Sequence, residues 1–575
     1  MRRAALVPSV LAACLVLVGC TTSQQEGQQE GSAALTAEVR APAETAVLAD
    51  DSAAGLALGT ARTFFDAAPL VVLAGAGAEL TAASAGVALG APVLPDDGGL
   101  VEELDRLGAE TVLTVGEVQP PAVGEDVTVL AAPADPGDLA ELLGTQPAAE
   151  PVPAGQEVAA VAGLDVAQPE VLVPADPEGS ATGEADAATA ETDAVAAGAN
   201  ATAAATAGAG TSAAGTTDEP EVATDLPATD RPEPVDGVHV MTTGEPAQAA
   251  AVANARTAGA TVQVVPGGDP RATSATVQET ADQAPGVVVG LGAAFGDADT
   301  LAWRTETAAT GVELPGGGQL ALPGKTYVAL YGNPTTPALG VLGEQDAPAT
   351  IERAREHAAR YEGLTDTTVV PALEIIASVA SASAGDDGNY SSERPVEELR
   401  PLVDLAHQHG MYVVLDLQPG RTDFLTQAKA YEELLRLPNV GLALDPEWRL
   451  RPDQVHLRQI GQVDVAEVNQ VVTWLADLTR ENRLPQKVLV LHQFQVRMIP
   501  GVDGVDQSRS ELAVLIHADG QGGQGAKQST WATLRASAPS VQWWGWKNFY
   551  DEDVPMLNPA QTMQVQPTPN FVSYQ

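Results

Sequence analysis

The chain has 575 residues, of which 45% are hydrophobic, and this allows roughly two to four domains with buried cores. Its 76 acidic residues against 29 lysines and arginines give a formal net charge of -47. So acidic a chain is a poor partner for nucleic acid, so we predict no nucleic-acid binding, and it excludes a polybasic membrane-binding patch. The first lysine is Lys325, so an acidic front half precedes a back half of more ordinary composition.

The first 19 residues have the pattern of an export signal. Two arginines follow Met1, residues 4–18 are apolar but too short to span a bilayer comfortably, and Gly19 precedes Cys20. This end resembles a bacterial lipobox, whose cysteine becomes the lipidated first residue of the mature protein. The resemblance implies an exported protein whose lipid on Cys20 anchors it in the outer face of the cytoplasmic membrane, next to the cell wall. Residues 20–46 would then be a flexible tether; the alternative is an ordinary secretory signal.

Two stretches of the front half, 47–173 and 236–322, alternate apolar strands with alanine-rich helices. In the first we predict strands at 70–74, 91–94 and 111–115 and helices at 80–89 and 100–107. In the second we predict strands at 238–241, 261–265 and 287–290 and helices at 247–258 and 274–283. Strands this hydrophobic indicate parallel, Rossmann-like sheets covered on both faces. We interpret the two stretches as divergent copies of one unit.

The first copy contains the sequences FFDAAPLVVLA (64–74), LTAAS (80–84), GAPVL (90–94) and TVG (114–116). These resemble the second type of cell wall-binding repeat, found on surface proteins of Gram-positive bacteria. The resemblance implies attachment to cell-wall polysaccharide or peptidoglycan. A Rossmann-like layer with no binding role is the alternative.

Between the copies, residues 174–235 are rich in alanine, threonine, glycine and acidic residues and contain few large apolar side chains. Such a segment cannot bury enough surface to offset its ordering entropy, so we predict that it is disordered. It could be a loop within one domain or a linker between two.

Residues 323–575 predict a TIM-like (β/α)8 barrel whose eighth strand is either hidden in the pattern or absent, so the fold class of the whole chain is α/β. Helix-length gaps separate seven predicted strands, at 327–331, 368–376, 412–417, 440–445, 488–491, 512–516 and 541–546. About 250 residues is the usual size of such a barrel, in which the chemistry lies at the carboxyl ends of the strands.

Polar or aromatic residues end every predicted strand. They are Tyr331, Glu374, Asp416, Asp445 with Glu447, His492, His517 with Asp519, and Trp544, Trp546 and Lys547. Buried charges and imidazoles are costly, so a shared polar mouth explains them together. For Asp416 and His517 taken singly, capping of the barrel rim is the alternative. Carboxylates that bind hydroxyls and indole faces that stack on sugar rings make this mouth suited to a glycan.

The fourth predicted strand ends in GLALDPEW (441–448), in which Asp445 and Glu447 would share one face of an extended strand. This sequence is similar to the fourth-strand motif of family 18 chitinases. The resemblance implies that Glu447 protonates the glycosidic oxygen and that Asp445 orients the acetamido group of the substrate, while Trp544 or Trp546 forms the floor of the sugar site. We count Asp416 as a third candidate catalytic residue and the other strand-end residues as candidates for substrate binding.

One position departs from that motif, because Ala443 stands where the family has its first aspartate. The departure leaves a non-catalytic glycan-binding or scaffold lipoprotein as the main alternative. A metal-dependent hydrolase using His492, His517, Asp519 and Asp416 is a lesser alternative, since the one His-x-His pair of the region, His407 and His409, lies at a predicted helix end beside Gly410, where capping or exposure is expected. We predict neither a metal nor a cofactor.

Overall fold

The computed structural model of the chain describes residues 34–96, 100–119, 122–124, 126–146, 149–175 and 220–575. The predicted signal, Cys20 and most of the predicted tether lie outside the described residues. So does most of the segment 174–235.

The back half is a closed barrel of eight parallel strands, which confirms the predicted fold class. We number them β1 Lys325–Gly332, β2 Thr368–Ala380, β3 Tyr412–Leu417, β4 Val440–Leu444, β5 Lys487–Gln493, β6 Leu512–Ala518, β7 Trp543–Asn548 and β8 Phe571–Tyr574. Strand β1 pairs with β2 on one side and with β8 on the other, which closes the ring. The short strand Ser391–Glu393 adds to β2 in the antiparallel sense. The eighth strand escaped the sequence analysis because it has only four residues.

Helices surround this barrel as the sequence predicted. They are Ala347–Ala359, Val396–Gln408, Phe424–Ala430, Glu432–Leu435, Val465–Glu481, Gln524–Ser537 and Pro559–Thr562. Phe424–Ala430 and Glu432–Leu435 together fill the gap between β3 and β4, whereas β5 is joined to β6 by the 3-10 turns Val496–Met498 and Val502–Gly504.

Alternate residues of each barrel strand enter two different cores. On β3, Val413 and Leu415 pack outward against the helices, whereas Tyr412 and Val414 pack inward. The inner core fills the lower part of the barrel, where the rings of Tyr327 and Tyr412 lie 5.0 Å apart. This packed floor leaves only the carboxyl ends of the strands for a polar site.

The front half contains two Rossmann-like parallel sheets. In spatial order, the first has strands Glu221–Val222, Thr128–Ala131, Thr111–Val115, Leu70–Ala74 and Val93–Pro95, and the second has Thr261–Val264, Val238–Thr242, Val287–Leu291 and Ala46–Leu48. Their helices are Ala53–Phe64, Glu79–Leu89, Leu100–Leu107, Pro136–Leu142, Glu157–Gly163, Ala249–Thr257, Ser274–Gln283 and Ala298–Ala308. In both sheets the first strand of the repeat lies between the second and third, as copies of one unit would show.

The chain path differs from the predicted boundaries at two places. Ala46–Leu48 pairs with Val287–Leu291, so the chain contributes an edge strand to the second sheet before it builds the first. Residues 220–235, the end of the segment predicted to be disordered, contain the strands Glu221–Val222 and Thr229–Asp230. These strands are held by backbone pairing at sheet edges, which composition does not reveal.

Asn254 joins the two units through a buried amide. Its Nδ2 donates to the carbonyl oxygens of Ala57 and Val93, at 3.0 Å and 3.1 Å, and its Oδ1 accepts from the Val93 amide at 2.6 Å. A buried side chain with its polar atoms satisfied in this way fixes the packing of the helix Ala249–Thr257 against the first sheet.

Candidate functional site

A cavity of about 390 Å3 opens at the carboxyl ends of the barrel strands. Its polar lining includes Tyr331, Gln418, Asp445, Glu447, Asp519 and Lys547, and its aromatic lining includes Trp448, Phe494 and Phe549. Five of these residues were predicted from the strand ends. Glu374, Asp416, His492 and His517 lie deeper, fully buried beneath the cavity.

The strands position these groups through the inward and outward alternation of their side chains. Tyr331 on β1 is in register with Glu374 on β2. Asp416 follows the inward-facing Val414 by two residues, so it also faces the barrel interior. The phenol of Tyr331 donates to Asp416 Oδ2 at 2.9 Å and accepts from Gln418 Nε2 at 3.2 Å.

Asp445 and Glu447 both line the cavity, but the backbone that carries them is not extended. Strand β4 ends at Leu444, and a 3-10 turn, Pro446–Trp448, follows. The Asp445 carboxylate caps this turn, because its Oδ1 accepts from the Glu447 amide at 3.1 Å. The expectation that a strand face brings the pair together is therefore wrong; a capped turn does so, since Pro446 favours a turn after the strand.

His492 is the centre of the buried layer under the cavity. Its Nε2 donates to Glu374 Oε1 at 2.6 Å and its Nδ1 donates to Asp519 Oδ2 at 3.0 Å. Burial disfavours the charged ring, but Glu374 and Asp519 outweigh it, so the pKa of His492 lies well above its usual value. Burial alone would raise the pKa of Asp519, but the hydrogen bond and the charge of His492, together with the charge of Lys547, outweigh burial and lower this pKa. The ring is therefore an imidazolium held between two carboxylates.

The remaining carboxyl groups are shifted in the opposite direction. Burial, reinforced by Asp519, raises the pKa of Glu447 to about 7. Burial, reinforced by Asp416, raises the pKa of Asp445 well above its usual value. Burial also raises the pKa of Asp416 to about 6, against the opposing effect of His492. Near neutral pH the mouth therefore keeps protons on part of its carboxyl groups.

His517 lies against the floor of the site. Its Nε2 is 3.3 Å from Ser573 Oγ, and its ring packs 5.0 Å from that of His492. Burial, followed by the nearby charge of His492, lowers the pKa of His517 well below its usual value, so its ring is neutral. His517 therefore supports the charged ring above it and does not reach the cavity.

The predicted tryptophan floor is wrong, because Trp544 and Trp546 face away from the barrel interior. Both pack in the outer core, each with its ring centroid 5.6 Å from that of Trp531. The inward positions of β7 are Gly545, which abuts His517, and Lys547, whose Nζ lies 3.5 Å from the centre of the Tyr331 ring. The aromatic residue that does line the cavity beside Glu447 is Trp448. Trp448 could have been predicted to line the cavity from its position directly after Glu447 in the sequence.

Glu374, His492 and His517 form a set that could hold a metal ion, since one ligand atom from each lies within 4.8 Å of the others. Both ring nitrogens of His492 are already hydrogen-bonded to carboxylates. A metal would therefore have to displace the proton that His492 shares with Glu374.

Fold and site define the class of this protein as a (β/α)8-barrel protein with an acidic, partly buried mouth, preceded by two Rossmann-like units. No family model matches the chain, and no curated protein matches it. Among the described residues, no helix is both long enough and apolar enough to cross a membrane.

Proposed function

We propose that the barrel is a glycan hydrolase acting on N-acetyl sugars, with Glu447 as the general acid. The observation that carries this proposal is the environment of Glu447. Its side chain lines an open cavity, and burial beside Asp519 raises its pKa to about 7. A carboxylic acid that keeps its proton near neutral pH is what protonation of a glycosidic oxygen requires.

The mechanism follows the resemblance to family 18 chitinases. Glu447 gives its proton to the leaving oxygen as the glycosidic C–O bond breaks. The acetamido oxygen of the substrate, oriented by Asp445, bonds to the anomeric carbon. Water then attacks that carbon, the bond from the acetamido oxygen to it breaks, and Glu447 takes up a proton from the water. The cap from Asp445 to the Glu447 amide supports this division of roles, because it fixes both side chains on one turn.

The cavity offers the two kinds of contact that sugars use. Trp448, Phe494 and Phe549 provide apolar faces for pyranose rings, whereas Gln418, Asp519 and Lys547 provide polar groups for hydroxyls. This combination of apolar walls with a few polar groups is typical of small-molecule and sugar sites.

A non-catalytic glycan-binding barrel is the second candidate, and Ala443 favours it. Ala443 is fully buried in the inner core of the barrel, in register with Asp416 on β3. The position below Asp445 therefore carries a methyl group where the chitinase motif has a carboxylate. Asp416, on the neighbouring strand, is the carboxyl group that would take over proton sharing with Asp445 in the hydrolase.

The cellular setting belongs to the same proposal. The lipobox-like sequence ending at Cys20 supports export and lipid anchoring outside the cytoplasmic membrane. The cell wall-binding-like front half supports contact with cell-wall polysaccharide or peptidoglycan, whose N-acetyl sugars match the proposed substrate. Sedimentation of the full chain with insoluble peptidoglycan, in the presence of excess chitooligosaccharide to occupy the barrel, tests whether the front half binds the wall.

Turnover is tested with the full chain on chitooligosaccharides and on peptidoglycan, by measuring the release of reducing ends. We expect Glu447→Gln to lower the rate roughly 100-fold or more, because it removes the transferable proton. Glu481→Gln, an exposed change at the end of the helix Val465–Glu481, is the matched control. Binding without Glu447-dependent release would leave only the non-catalytic alternative.

A further inference from the structure

A second cavity, of about 420 Å3, adjoins the mouth. Its lining shares Glu447 and Trp448 with the first cavity and adds His456, Leu457, Arg458, Gln459, Ile460 and Arg497. Glu447 and Trp448 therefore stand on the ridge between two cavities of similar size. A chain of sugars lying across this ridge would place units on both sides of the bond next to Glu447.

Two arginines line the second cavity, in a protein whose net charge is -47. Arg449, on the same loop, is neutralised by Glu467, with Nε and Oε1 3.0 Å apart. Within the part of the chain that the structure describes, neither Arg458 nor Arg497 has a carboxylate within salt-bridge distance. The only side-chain hydrogen bond of Arg497 there goes from its Nε to Gln495 Oε1, at 2.6 Å. Both arginines thus keep guanidinium donors available, and such donors bind carboxylates and phosphates well.

The first cavity contains a cation of its own, Lys547, that also favours an anionic ligand. Lys547 is 3% exposed, and its Nζ lies over the Tyr331 ring, 3.5 Å from the ring centre. This ammonium donates no hydrogen bond to any of the described residues, although the side chain lines the cavity. A buried cation without a direct hydrogen-bonding partner favours a ligand that brings an oxygen acceptor to it.

We propose that the two cavities form one cleft for an anionic glycan, in which Arg458 and Arg497 bind carboxylate or phosphate groups on one side of Glu447. This inference rests on the proposed function for the place of the scissile bond, and it names the substrate class. The acidic surface of the protein repels polyanions in general. An anionic chain is therefore held only where the cleft supplies its own cations.

The test measures equilibrium binding to the full chain carrying Glu447→Gln, so that no turnover is needed. The ligands are chitohexaose, which is neutral, a hyaluronan octasaccharide, which alternates N-acetylglucosamine with glucuronate, and poly(glycerol phosphate). We expect at least one anionic ligand to bind roughly tenfold or more tighter than chitohexaose, with an affinity that falls as salt increases. Which anionic ligand binds tighter distinguishes a carboxylate from a phosphate source.

The double change Arg458→Gln with Arg497→Gln should remove this preference, because it weakens binding of the anionic ligand roughly tenfold or more and weakens binding of chitohexaose far less. Arg451→Gln, an exposed arginine of the same loop outside both cavities, is the control and should change neither affinity. Equal affinity for neutral and anionic ligands would overturn the inference, as would an equal loss of both in the double variant.

The proposed hydrolysis is judged separately, from the release of reducing ends by the chain with Glu447 intact. A charge preference without release would contradict the hydrolase and leave the anionic cleft standing. Release of reducing ends from chitooligosaccharides without any preference for anionic ligands would support the hydrolase and overturn the anionic cleft.

Discussion

Nε2 of His492 lies 2.6 Å from Oε1 of Glu374, and both side chains are at most 1% exposed. This contact ties β5 to β2 across the barrel, and Asp519 holds the other side of the ring. We expect His492→Gln to lower the free energy of unfolding by about 3 kcal/mol or more, because it leaves buried carboxylates without their counter-charge. Urea unfolding measures the effect. His407→Gln, an exposed change, is the control, and an equally small effect of both would contradict a charged ring at His492.

The buried groups also predict how stability depends on pH. Because the pKa of Asp416 rises to about 6 on folding, the folded state holds a proton that the unfolded state has lost. Its contribution to stability is therefore largest below pH 4 and is lost as the pH rises to about 6. His492 acts in the same direction, since its raised pKa stabilises the fold fully below its unfolded value near 6.5 and less as the pH rises through the folded pKa.

The variant Asp416→Asn isolates the first of these contributions. We expect it to flatten the fall in unfolding free energy between pH 4 and pH 6 and to stabilise the protein at pH 7 by on the order of 2 kcal/mol. The amide oxygen can still accept the hydrogen bond from Tyr331. Urea unfolding at pH 4.5 and pH 7 checks this, and unchanged pH dependence would show that Asp416 titrates normally.

Turnover should have its own pH dependence. If Glu447 is the general acid, kcat/KM falls as the pH rises through about 7, because the proton to be transferred is lost. The profile is measured on chitooligosaccharides between pH 5 and pH 9. A rate that stays constant up to pH 9 would exclude Glu447 from that role.

The turn that carries Glu447 is covered by Gly461. The Gly461 amide donates to the Glu447 carbonyl oxygen at 2.7 Å, and a methyl group at this position would lie 2.4 Å from that oxygen. Gly461→Ala should therefore displace the turn and weaken glycan binding roughly tenfold, with a smaller loss of stability. Gly525→Ala, where an added methyl group meets nothing within 4 Å, should leave binding unchanged. Isothermal titration with chitohexaose compares them, and equal affinities would contradict this positioning role.

Trp448 and Trp544 should respond oppositely to truncation. Trp448→Ala removes an apolar face of the cavity and should weaken chitohexaose binding with little change in stability. Trp544→Ala opens a hole in the outer core and should cost roughly 3 to 5 kcal/mol of unfolding free energy with binding retained. Titration and urea unfolding of both variants separate the two effects. If only Trp544→Ala weakened glycan binding, the result would support the tryptophan floor that the sequence predicted and contradict the cavity lining described above.

Strand β7 shows which part of the site could be predicted from the sequence and which could not. The strand-end residues could be predicted, because a polar group that follows a buried apolar run is costly unless it joins other polar groups in one site. The sequence WWGWKN (543–548) instead has large side chains on both faces, so composition alone does not say which set faces inward. The inward face could have been predicted from the alternate positions Gly545 and Lys547, since a small residue and a cation fit a crowded polar interior. Asp445 and Glu447 do line one cavity as predicted, but a turn that depends on Pro446 brings them together, not the face of an extended strand.

The short strand Ala46–Leu48 has a practical consequence for dissecting this protein. The chain passes through the second sheet, leaves to build the first, and returns to finish the second about 190 residues later. The second unit is therefore not a contiguous piece of sequence, and a cut at residue 173 or 236 would separate an edge strand from the sheet it pairs with. Any fragment intended to report on the front half alone has to begin before Ala46 and extend beyond Leu291, so that both sheets keep all of their strands.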